Sequence, residues 1–224
     1  MFSLNRYLML MKKAIIFDLD GTLLDTLTDI MESVNNVLSK YEFPTHKMHA
    51  YKYFIGNGIE VLTRKAFPKD ITESEFRNYF QEVKQEYESR QTLKTQPYEG
   101  IEEMLNKLLD KGISISILSN KPDEFAKPTV KHFFPNINFD IVFGSRIGVE
   151  RKPSPDAVFE ILEKLDFKKE EYFFVGDTAI DMQTSVNAGI EGIGVSWGFR
   201  TIEELQNNGS KYIINSPSEI FNLI

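Results

Sequence analysis

The sequence predicts an α/β protein: a Rossmann-like parallel sheet with an α-helical cap domain inserted after the first strand. Three observations predict it. Short apolar, β-rich runs recur along the chain, helical patterns separate the later runs, and the long stretch after the first run carries helical patterns alone. Apolar strands that alternate with helices are typical of a parallel sheet covered by helices on both faces.

The predicted strands are short apolar runs, most of them nearly continuous, as expected for strands buried on both faces. A helix with apolar residues at Ile101, Leu105 and Leu108 precedes the second run, and a helix ending near Leu165 precedes the fourth. The runs are AIIFDL (14–19), ISISIL (113–118), DIVFGS (140–145), EYFFVG (171–176) and GIGVSW (192–197), with YII (212–214) as a further edge strand.

Residues 26–94 interrupt this alternation, because no convincing strand occurs there. Amphipathic helical patterns fill the stretch, and Thr72 with Glu75 has the spacing of a capping box. We therefore predict a core domain of residues 1–25 and 95–224 and a cap domain of residues 26–94. An insert at this point lies beside the carboxyl ends of the strands, where such sheets bind ligands. This position favours a lid over the ligand site. Composition alone is equally consistent with helices that only stabilise the protein.

Composition limits the partners of this chain. It has 224 residues, 42% of them apolar, a formal net charge of -7 and a pI near 5.1. Nucleic acids and anionic membranes attract positively charged proteins, so neither is an expected partner of this negatively charged chain. The chain has no cysteine, which excludes thiolate chemistry and fits a reducing compartment, so we predict the cytoplasm. The first residues lack the features of a signal peptide, and Met11 is an alternative start that would make residues 1–10 an extension.

The strongest motif is the run DLDGT, in which Asp18 and Asp20 end an apolar strand. Residues two apart on a strand point the same way, so both carboxylates are expected to leave the sheet edge together. Two such charges repel unless a cation or a shared proton relieves them, and a hard divalent cation prefers oxygen ligands. The alternative is an aspartate pair that only satisfies the turn before Gly21.

A second acidic motif, GDTAID, follows the strand EYFFV. Asp177 is expected at the same sheet edge, where it completes a metal site with Asp18. Asp181 has capping-box spacing from Thr178, so two roles remain open for it. It either begins the next helix or supports the metal ligands through hydrogen bonds.

Polar groups for binding phosphate follow two other strands. Ser119 and Asn120 end ISISIL, and their hydroxyl and amides suit phosphate oxygens, although an ordinary polar turn would look the same. Lys152 follows DIVFGS and is restrained by Pro153. Its ammonium can neutralise carboxylate and phosphate together, although a lone lysine is more often a surface charge.

Together these motifs resemble the haloacid dehalogenase superfamily of phosphotransferases, and within it the phosphoglycolate phosphatase branch. The matching segments cover residues 14 to about 200 in the superfamily's order. They are DLDGTLLDTLTD, FIGNGIEVLTRKAF, PYEGI, ILSNK, RKPSP, GDTAIDMQTSVNAG and GVSWGFR.

The resemblance implies that Asp18 is the nucleophile and forms an aspartyl-phosphate, while Asp20 protonates the leaving alcohol and later deprotonates water. It also implies that Mg²⁺ is bound by Asp18, the backbone carbonyl of Asp20 and Asp177, and that the substrate is a small phosphorylated metabolite. The transferring phosphoryl group would be held by Thr22, Ser119 and Lys152.

The insert corresponds to the superfamily's mobile cap, which selects substrates. Our candidates for cap residues that meet the substrate are Gly56, Asn57, Gly58 and Arg64. Taken alone, the Gly-Asn-Gly run is a turn, and Arg64 fits a surface charge at least as well. The sequence indicates no oligomeric state.

Other functions remain open. A sugar-phosphate mutase resembling β-phosphoglucomutase uses the same aspartate pair but has a different lid motif, and a pyrophosphatase or nucleotidase is harder to exclude. Dehalogenation is excluded by Asp20, because displacing halide needs no proton donor. A phospho-accepting receiver-type domain is the non-enzymatic alternative, but it has no use for a helical insert.

Overall fold

The computed structural model describes residues 12–224, so the predicted extension of residues 1–10 lies outside the described part. Its strands are β1 (Ala14–Phe17), β2 (Leu24–Asp25), β3 (Gln96–Pro97), β4 (Ser114–Pro122), β5 (Ile141–Ser145), β6 (Tyr172–Gly176), β7 (Glu191–Val195) and β8 (Tyr212–Ile214). Its α-helices are α1 (Leu27–Lys40), α2 (Met48–Phe54), α3 (Ile59–Ala66), α4 (Glu73–Arg90), α5 (Ile101–Asp110), α6 (Asp123–Phe133), α7 (Asp156–Leu165), α8 (Ala179–Ala188) and α9 (Ile202–Asn207). Short 3₁₀ helices cover Lys169–Glu171 and Pro217–Asn222.

Six strands form one parallel sheet in the order β5-β4-β1-β6-β7-β8. Side chains alternate across it, as strand geometry requires. Ile15 and Phe17 of β1 pack with residues of α5 and α6, whereas Ala14 and Ile16 pack with residues of α7 on the opposite face. The predicted α/β fold with a parallel sheet and helices on both faces is confirmed, and β8 is the expected edge strand.

The first strand lies at the centre of the sheet. The chain builds β4 and β5 on one side of β1 and β6, β7 and β8 on the other, so the strand order changes direction there. At such a point the loops leaving neighbouring strands separate and open a crevice at their carboxyl ends. The sheet topology therefore places the crevice directly after β1.

The insert is helical and has its own apolar core. Leu27, Val34 and Leu38 of α1 pack with residues of α2, α3 and α4, and Phe125 and Phe199 join this cluster from outside the insert. The predicted capping box is present, because Thr72 and Glu75 exchange hydrogen bonds at the start of α4. The helices therefore rest on the sheet-bearing part of the chain through shared apolar contacts. Among residues 12–224, no helix combines the length and apolar character needed to cross a membrane.

Two short strands connect the insert to the rest of the chain. β2 and β3 pair antiparallel, so the chain enters and leaves the four helices side by side. The carboxylate of Asp29 in α1 is fully buried and accepts hydrogen bonds from the backbone of Lys94 and from the backbone and hydroxyl of Thr95. The sequence did not indicate β2 and β3, because a strand of two residues is too short to show an alternating apolar pattern. The division at residues 26 and 94 stays a prediction.

Candidate active site

The carboxyl ends of β1, β4 and β6 bring most of the predicted site residues to one edge of the sheet. Phe17, the last residue of β1, is in register with Ile117 of β4 and Val175 of β6. Asp18 and Asp177 therefore emerge from adjacent strands, and both are buried. Ser119 lies within β4, which is longer than predicted and shifts its register between Leu118 and Pro122.

Three carboxylates form a buried acidic cluster in the crevice. Asp18, Asp177 and Asp181 each place one carboxylate oxygen within 4.8 Å of the others. The ammonium of Lys152 lies 2.7 Å from Oδ1 of Asp18 and 2.6 Å from Oδ1 of Asp181. One lysine against three carboxylates leaves an excess of two negative charges when all are ionised.

Burial, together with the excess of negative charge, raises the pKa values of two of these carboxyl groups. Burial, reinforced by Asp181 and opposed by Lys152, raises the pKa of Asp18 to about 7. Burial together with the charges of Asp181 and Asp18 raises the pKa of Asp177 well above its ordinary range. A divalent cation with oxygen ligands would relieve this repulsion, and the donor set consists of carboxylate oxygens. The residues present therefore fit Mg²⁺.

The carboxylate of Asp177 is fixed from two sides. The backbone N–H of Phe199 donates to its Oδ2 at 2.8 Å, and the hydroxyl of Thr22 donates to its Oδ1 at 3.1 Å. A Cβ atom on Gly21 would lie 2.4 Å from Oδ2 of Asp177, so only glycine fits that position. The hydroxyl predicted to hold phosphate, that of Thr22, is thus directed at a carboxylate, and phosphate binding by Thr22 stays a prediction.

Asp181 combines the two roles that the sequence left open. Its Oδ2 accepts hydrogen bonds from the backbone N–H and the hydroxyl of Thr178, which begins α8. Its Oδ1 accepts from Lys152. Asp181 therefore fixes the start of the helix and positions the site lysine with the same carboxylate.

The side-chain amide of Asn120 joins three segments. Its Oδ1 accepts from the backbone N–H of Lys152, while its Nδ2 donates to the carbonyls of Lys152 and Gly56. Both N–H donors of the amide are therefore used by protein carbonyls. If Asn120 also binds phosphate, as predicted, only its backbone amide remains for that contact. The side chain instead holds Lys152 in place and connects it to the insert.

A second ion pair was not predicted from the sequence. The ammonium of Lys121 lies 2.9 Å from Oδ1 and 3.3 Å from Oδ2 of Asp20, and it donates to the hydroxyl of Tyr87 at the end of α4. Burial alone would lower the pKa of Lys121, but the Asp20 carboxylate raises it above its ordinary range. Burial raises the pKa of Tyr87 to about 12, so its hydroxyl stays protonated at neutral pH. Asp20 thus faces a cation of its own, outside the acidic cluster.

Of the four cap candidates, Gly56 and Gly58 line the cavity above the aspartates, whereas Asn57 and Arg64 do not. The carbonyl of Asn57 accepts a hydrogen bond from Arg151 at 3.3 Å. Arg64 does not line the cavity; its guanidinium pairs with Glu73 at 2.8 Å on an exposed part of the insert. The surface alternative therefore describes Arg64 better than the substrate-contact prediction does.

A cavity between the insert and the sheet is lined by most of the site residues described above. Its polar end is lined by Asp18, Asp20, Ser119, Asn120, Lys121, Lys152, Thr178 and Asp181. Its opposite wall is largely apolar and includes Ile30, Ile55, Ile59, Leu62 and Phe125. The arrangement places the carboxylates of Asp18 and Asp20 and the ammonium groups of Lys121 and Lys152 on one cavity, where the two cations could bind an anionic ligand.

A family model for haloacid dehalogenase-like hydrolases matches residues 15–195 of this chain. The phosphoglycolate phosphatase of Aquifex aeolicus is 29% identical over 95% of the chain and 96% of its own length. A provisionally assigned pyrophosphatase, PpaX, of Caldanaerobacter subterraneus is 30% identical, with 94% of each chain covered. Among solved structures, a provisionally assigned phosphoglycolate phosphatase of Lactobacillus delbrueckii is 29% identical with a TM-score of 0.87, covering 96% of this chain and 98% of its own.

Proposed function

Because the chain belongs to the haloacid dehalogenase-like hydrolase family, we propose that it hydrolyses a small phosphate monoester through a phosphorylated Asp18, with Mg²⁺ as cofactor. Phosphoglycolate phosphatases and similar enzymes among its relatives support a phosphatase. The resemblance to the phosphoglycolate phosphatase branch makes phosphoglycolate the first substrate to test.

The observation that carries this proposal is the contrast between the surroundings of the two aspartates. Asp18 lies in the acidic cluster and 2.7 Å from Lys152, whereas Asp20 faces Lys121, and both aspartates line the same cavity. Lys152 and a bound cation would keep Asp18 ionised as the nucleophile, which leaves Asp20 as the separate carboxylate for proton transfer.

The mechanism divides hydrolysis into two displacements at phosphorus. A carboxylate oxygen of Asp18 attacks the phosphorus atom and the bond to the ester oxygen breaks. Asp20, which enters this step in its protonated form, gives its proton to the departing alcohol. Asp20 then takes a proton from a water molecule, whose oxygen attacks phosphorus and breaks the bond to Asp18. The products are the alcohol, inorganic phosphate and the regenerated carboxylate.

Charge neutralisation supports both steps. Lys152 and the hydroxyl of Ser119 would bind the phosphoryl oxygens, and Asp18, Asp177 and the backbone carbonyl of Asp20 would hold Mg²⁺, with Asp181 close to the same point. When bound, Mg²⁺ supplies positive charge to the transferring group. Asn120 and Asp181 keep Lys152 directed at Asp18 throughout. Positioning of this kind supplies much of the acceleration in phosphoryl transfer.

A pyrophosphatase is the second candidate, because a relative at 30% identity carries that name. A nucleotidase and a sugar-phosphate mutase remain less favoured alternatives. The family match and the four-helix insert oppose a receiver-type domain. The expected partner is a small phosphorylated metabolite; the cytoplasmic location and the absence of nucleic-acid or membrane partners are predictions from composition.

The proposal is tested by replacing the two aspartates with asparagine. We expect Asp18→Asn to abolish turnover of p-nitrophenyl phosphate and Asp20→Asn to reduce kcat at least about 100-fold, the usual size of an acid–base contribution. Asp110→Asn at the exposed end of α5 is the matched control and should retain activity. Substantial turnover by folded Asp18→Asn would refute the mechanism, as would full activity in excess chelator.

A further inference from the structure

Three side chains from outside the insert hold the loop of residues 55–58, which joins α2 to α3. Each donates a hydrogen bond to a backbone carbonyl, and the three carbonyls are consecutive in the chain. The pairs are Arg200 with Ile55 at 2.9 Å, Asn120 with Gly56 at 2.8 Å and Arg151 with Asn57 at 3.3 Å. Carbonyls of an irregular loop have no helix or strand partner of their own. The loop is therefore fixed to the sheet-bearing part of the chain through its backbone.

Arg200 makes the strongest of these three contacts. Its side chain is 8% exposed, whereas Arg151 is an exposed residue. A charged donor also makes a stronger hydrogen bond than the neutral amide of Asn120. Besides binding the carbonyl of Ile55, the guanidinium lies over the ring of Tyr53, 5.1 Å from its centre. Arg200 therefore contacts the insert at two residues.

The surroundings of Arg200 do not suit an arginine that only forms a surface ion pair. Its Nε pairs with Glu204 at 3.2 Å, but its Nη1 is buried and has no hydrogen-bond partner among residues 12–224. A buried donor without a partner costs free energy. The pair with Glu204 alone would form at lower cost on the surface. The contact of Nη2 with the insert explains why the guanidinium is buried at this boundary.

The loop contributes to the cavity and to the support of its lysine. Ile55, Gly56 and Gly58 line the cavity. The carbonyl of Gly56 accepts from Asn120, whose side chain also holds the backbone of Lys152. Because Ile55 and Gly56 share a peptide bond, a restraint on the carbonyl of one residue limits the movement of the next. A contact that holds Ile55 therefore also acts on the site lysine.

We propose that Arg200 is a positioning residue of the site. By binding the carbonyl of Ile55 it keeps the insert over the aspartates, and it keeps the neighbouring carbonyl on the amide that supports Lys152. Arg151 adds a weaker, exposed contact of the same kind. The effect on catalysis rests on the proposed phosphatase function, whereas the effect on the insert is measurable without turnover.

The test uses the absence of cysteine from the chain. Leu62→Cys introduces a single thiol on the apolar wall of the cavity, at a residue that is 3% exposed. N-ethylmaleimide reacts with this thiol only when the cavity opens. We expect Arg200→Met to accelerate the reaction about 10- to 100-fold, the factor that corresponds to a hydrogen bond from a charged donor. Arg151→Met should accelerate it about 2- to 5-fold, as expected for a longer and exposed hydrogen bond.

Two controls show whether the effect is specific to this boundary. Val83→Cys places the thiol in the same apolar cluster of the insert but away from the cavity, so its labelling should not change when Arg200 is replaced. Arg146→Met removes an arginine that pairs with Glu160 of α7, and it should leave the labelling of Leu62→Cys unchanged. Equal acceleration at both thiols would overturn the inference, because the insert would then be unfolding rather than separating from the sheet.

Arg200→Lys keeps the positive charge but shortens the side chain, so it should accelerate the labelling of Leu62→Cys less, by about 3- to 10-fold. Unchanged labelling in Arg200→Met would contradict the proposed role. If that variant does not fold, unchanged labelling in both Arg200→Lys and Arg151→Met would contradict it.

Turnover of p-nitrophenyl phosphate by the wild-type chain separates this inference from the proposed function. Accelerated labelling without any turnover would refute the phosphatase and leave the role of Arg200 in holding the insert. Normal turnover with unchanged labelling would leave the phosphatase and refute the role of Arg200.

Discussion

The ammonium of Lys152 lies between Asp18 and Asp181, 2.7 Å from one carboxylate and 2.6 Å from the other. Its own backbone is held through N–H and carbonyl by the single amide of Asn120. Lys152, whose charge faces the proposed nucleophile, is therefore held both at its ammonium group and at its backbone.

Replacing Lys152 with methionine keeps the length of the side chain and removes its charge. We expect kcat to fall by about 100-fold or more, as for loss of a group that stabilises transition-state charge. Without Mg²⁺ the variant should lose about 3–5 kcal/mol of unfolding free energy, because it leaves buried carboxylates unpaired. Steady-state kinetics and urea unfolding measure the two effects. Lys164→Met, exposed on α7, is the control, and equal behaviour of the two variants would contradict the assignment.

Asn120→Asp replaces two donated hydrogen bonds with repulsion between the new carboxylate and the carbonyls of Gly56 and Lys152. Each unsatisfied buried group costs about 1–3 kcal/mol, so the unfolding free energy should fall by at least that amount. Activity should fall as well, because Lys152 loses its backbone support. Asn106→Asp, on exposed α5, is the matched control in urea unfolding. A stable, fully active Asn120→Asp variant would show that the amide does not position Lys152.

Gly58→Ala tests the contact between the insert and the sheet-bearing part of the chain. The backbone of Gly58 has a φ of 87°, and an added Cβ would lie 3.0 Å from the carbonyl of Asn120. Gly112→Ala is a close control, because Gly112 has a φ of 73° but nothing within 4 Å of an added Cβ. Gly112→Ala should lose about 1 kcal/mol from strain at positive φ. Gly58→Ala should lose about 1–3 kcal/mol, because its ψ of 163° lies in a region that is almost exclusive to glycine. Only Gly58→Ala should also raise KM, since its collision lies at the cavity; identical kinetics for the two variants would contradict this.

The response of the protein to Mg²⁺ should depend on pH. In the metal-free protein the pKa of Asp18 is raised to about 7 from an ordinary 3.8, so the folded state binds more protons than the unfolded state between these values. Its contribution to stability is therefore largest at low pH and is lost as the pH rises towards 7.

Mg²⁺ requires the deprotonated carboxylates, so the increase in melting temperature that it produces should be small at pH 5 and larger at pH 8. Thermal unfolding at both pH values, with and without Mg²⁺, measures the effect. Asp177→Asn removes one proposed ligand and should reduce the shift at pH 8. A shift that is independent of pH would argue against metal binding by these groups.

The sequence predicted the six strands of the parallel sheet and the edge at which the candidate site lies, because buried parallel strands have a distinct apolar pattern and their carboxyl ends meet. It did not indicate the contact of Lys121 with Asp20 or that of Tyr87 with Lys121. Tyr87 belongs to an apolar stripe with Phe76, Tyr79, Phe80 and Val83. The helical spacing of this stripe predicts that Tyr87 is buried, but it carries no information about the partners of its hydroxyl. The pairing of Arg64 with Glu73 was not predicted for a related reason: Glu73 begins the next helix, and only the packing of α3 against α4 brings the two residues together.

The antiparallel pairing of β2 with β3 has a mechanical consequence. The chain crosses between the sheet and the four helices twice, and both crossings run side by side, fastened by Asp29 to Lys94 and Thr95. Two adjacent crossings form one hinge, about which the insert could rotate. The loop of Gly56 and Gly58 belongs to the insert and reaches Asn120 through the carbonyl of Gly56. A rotation that separated this contact would leave one N–H of the Asn120 side chain unpaired, and the amide that holds Lys152 would lose one of its own partners.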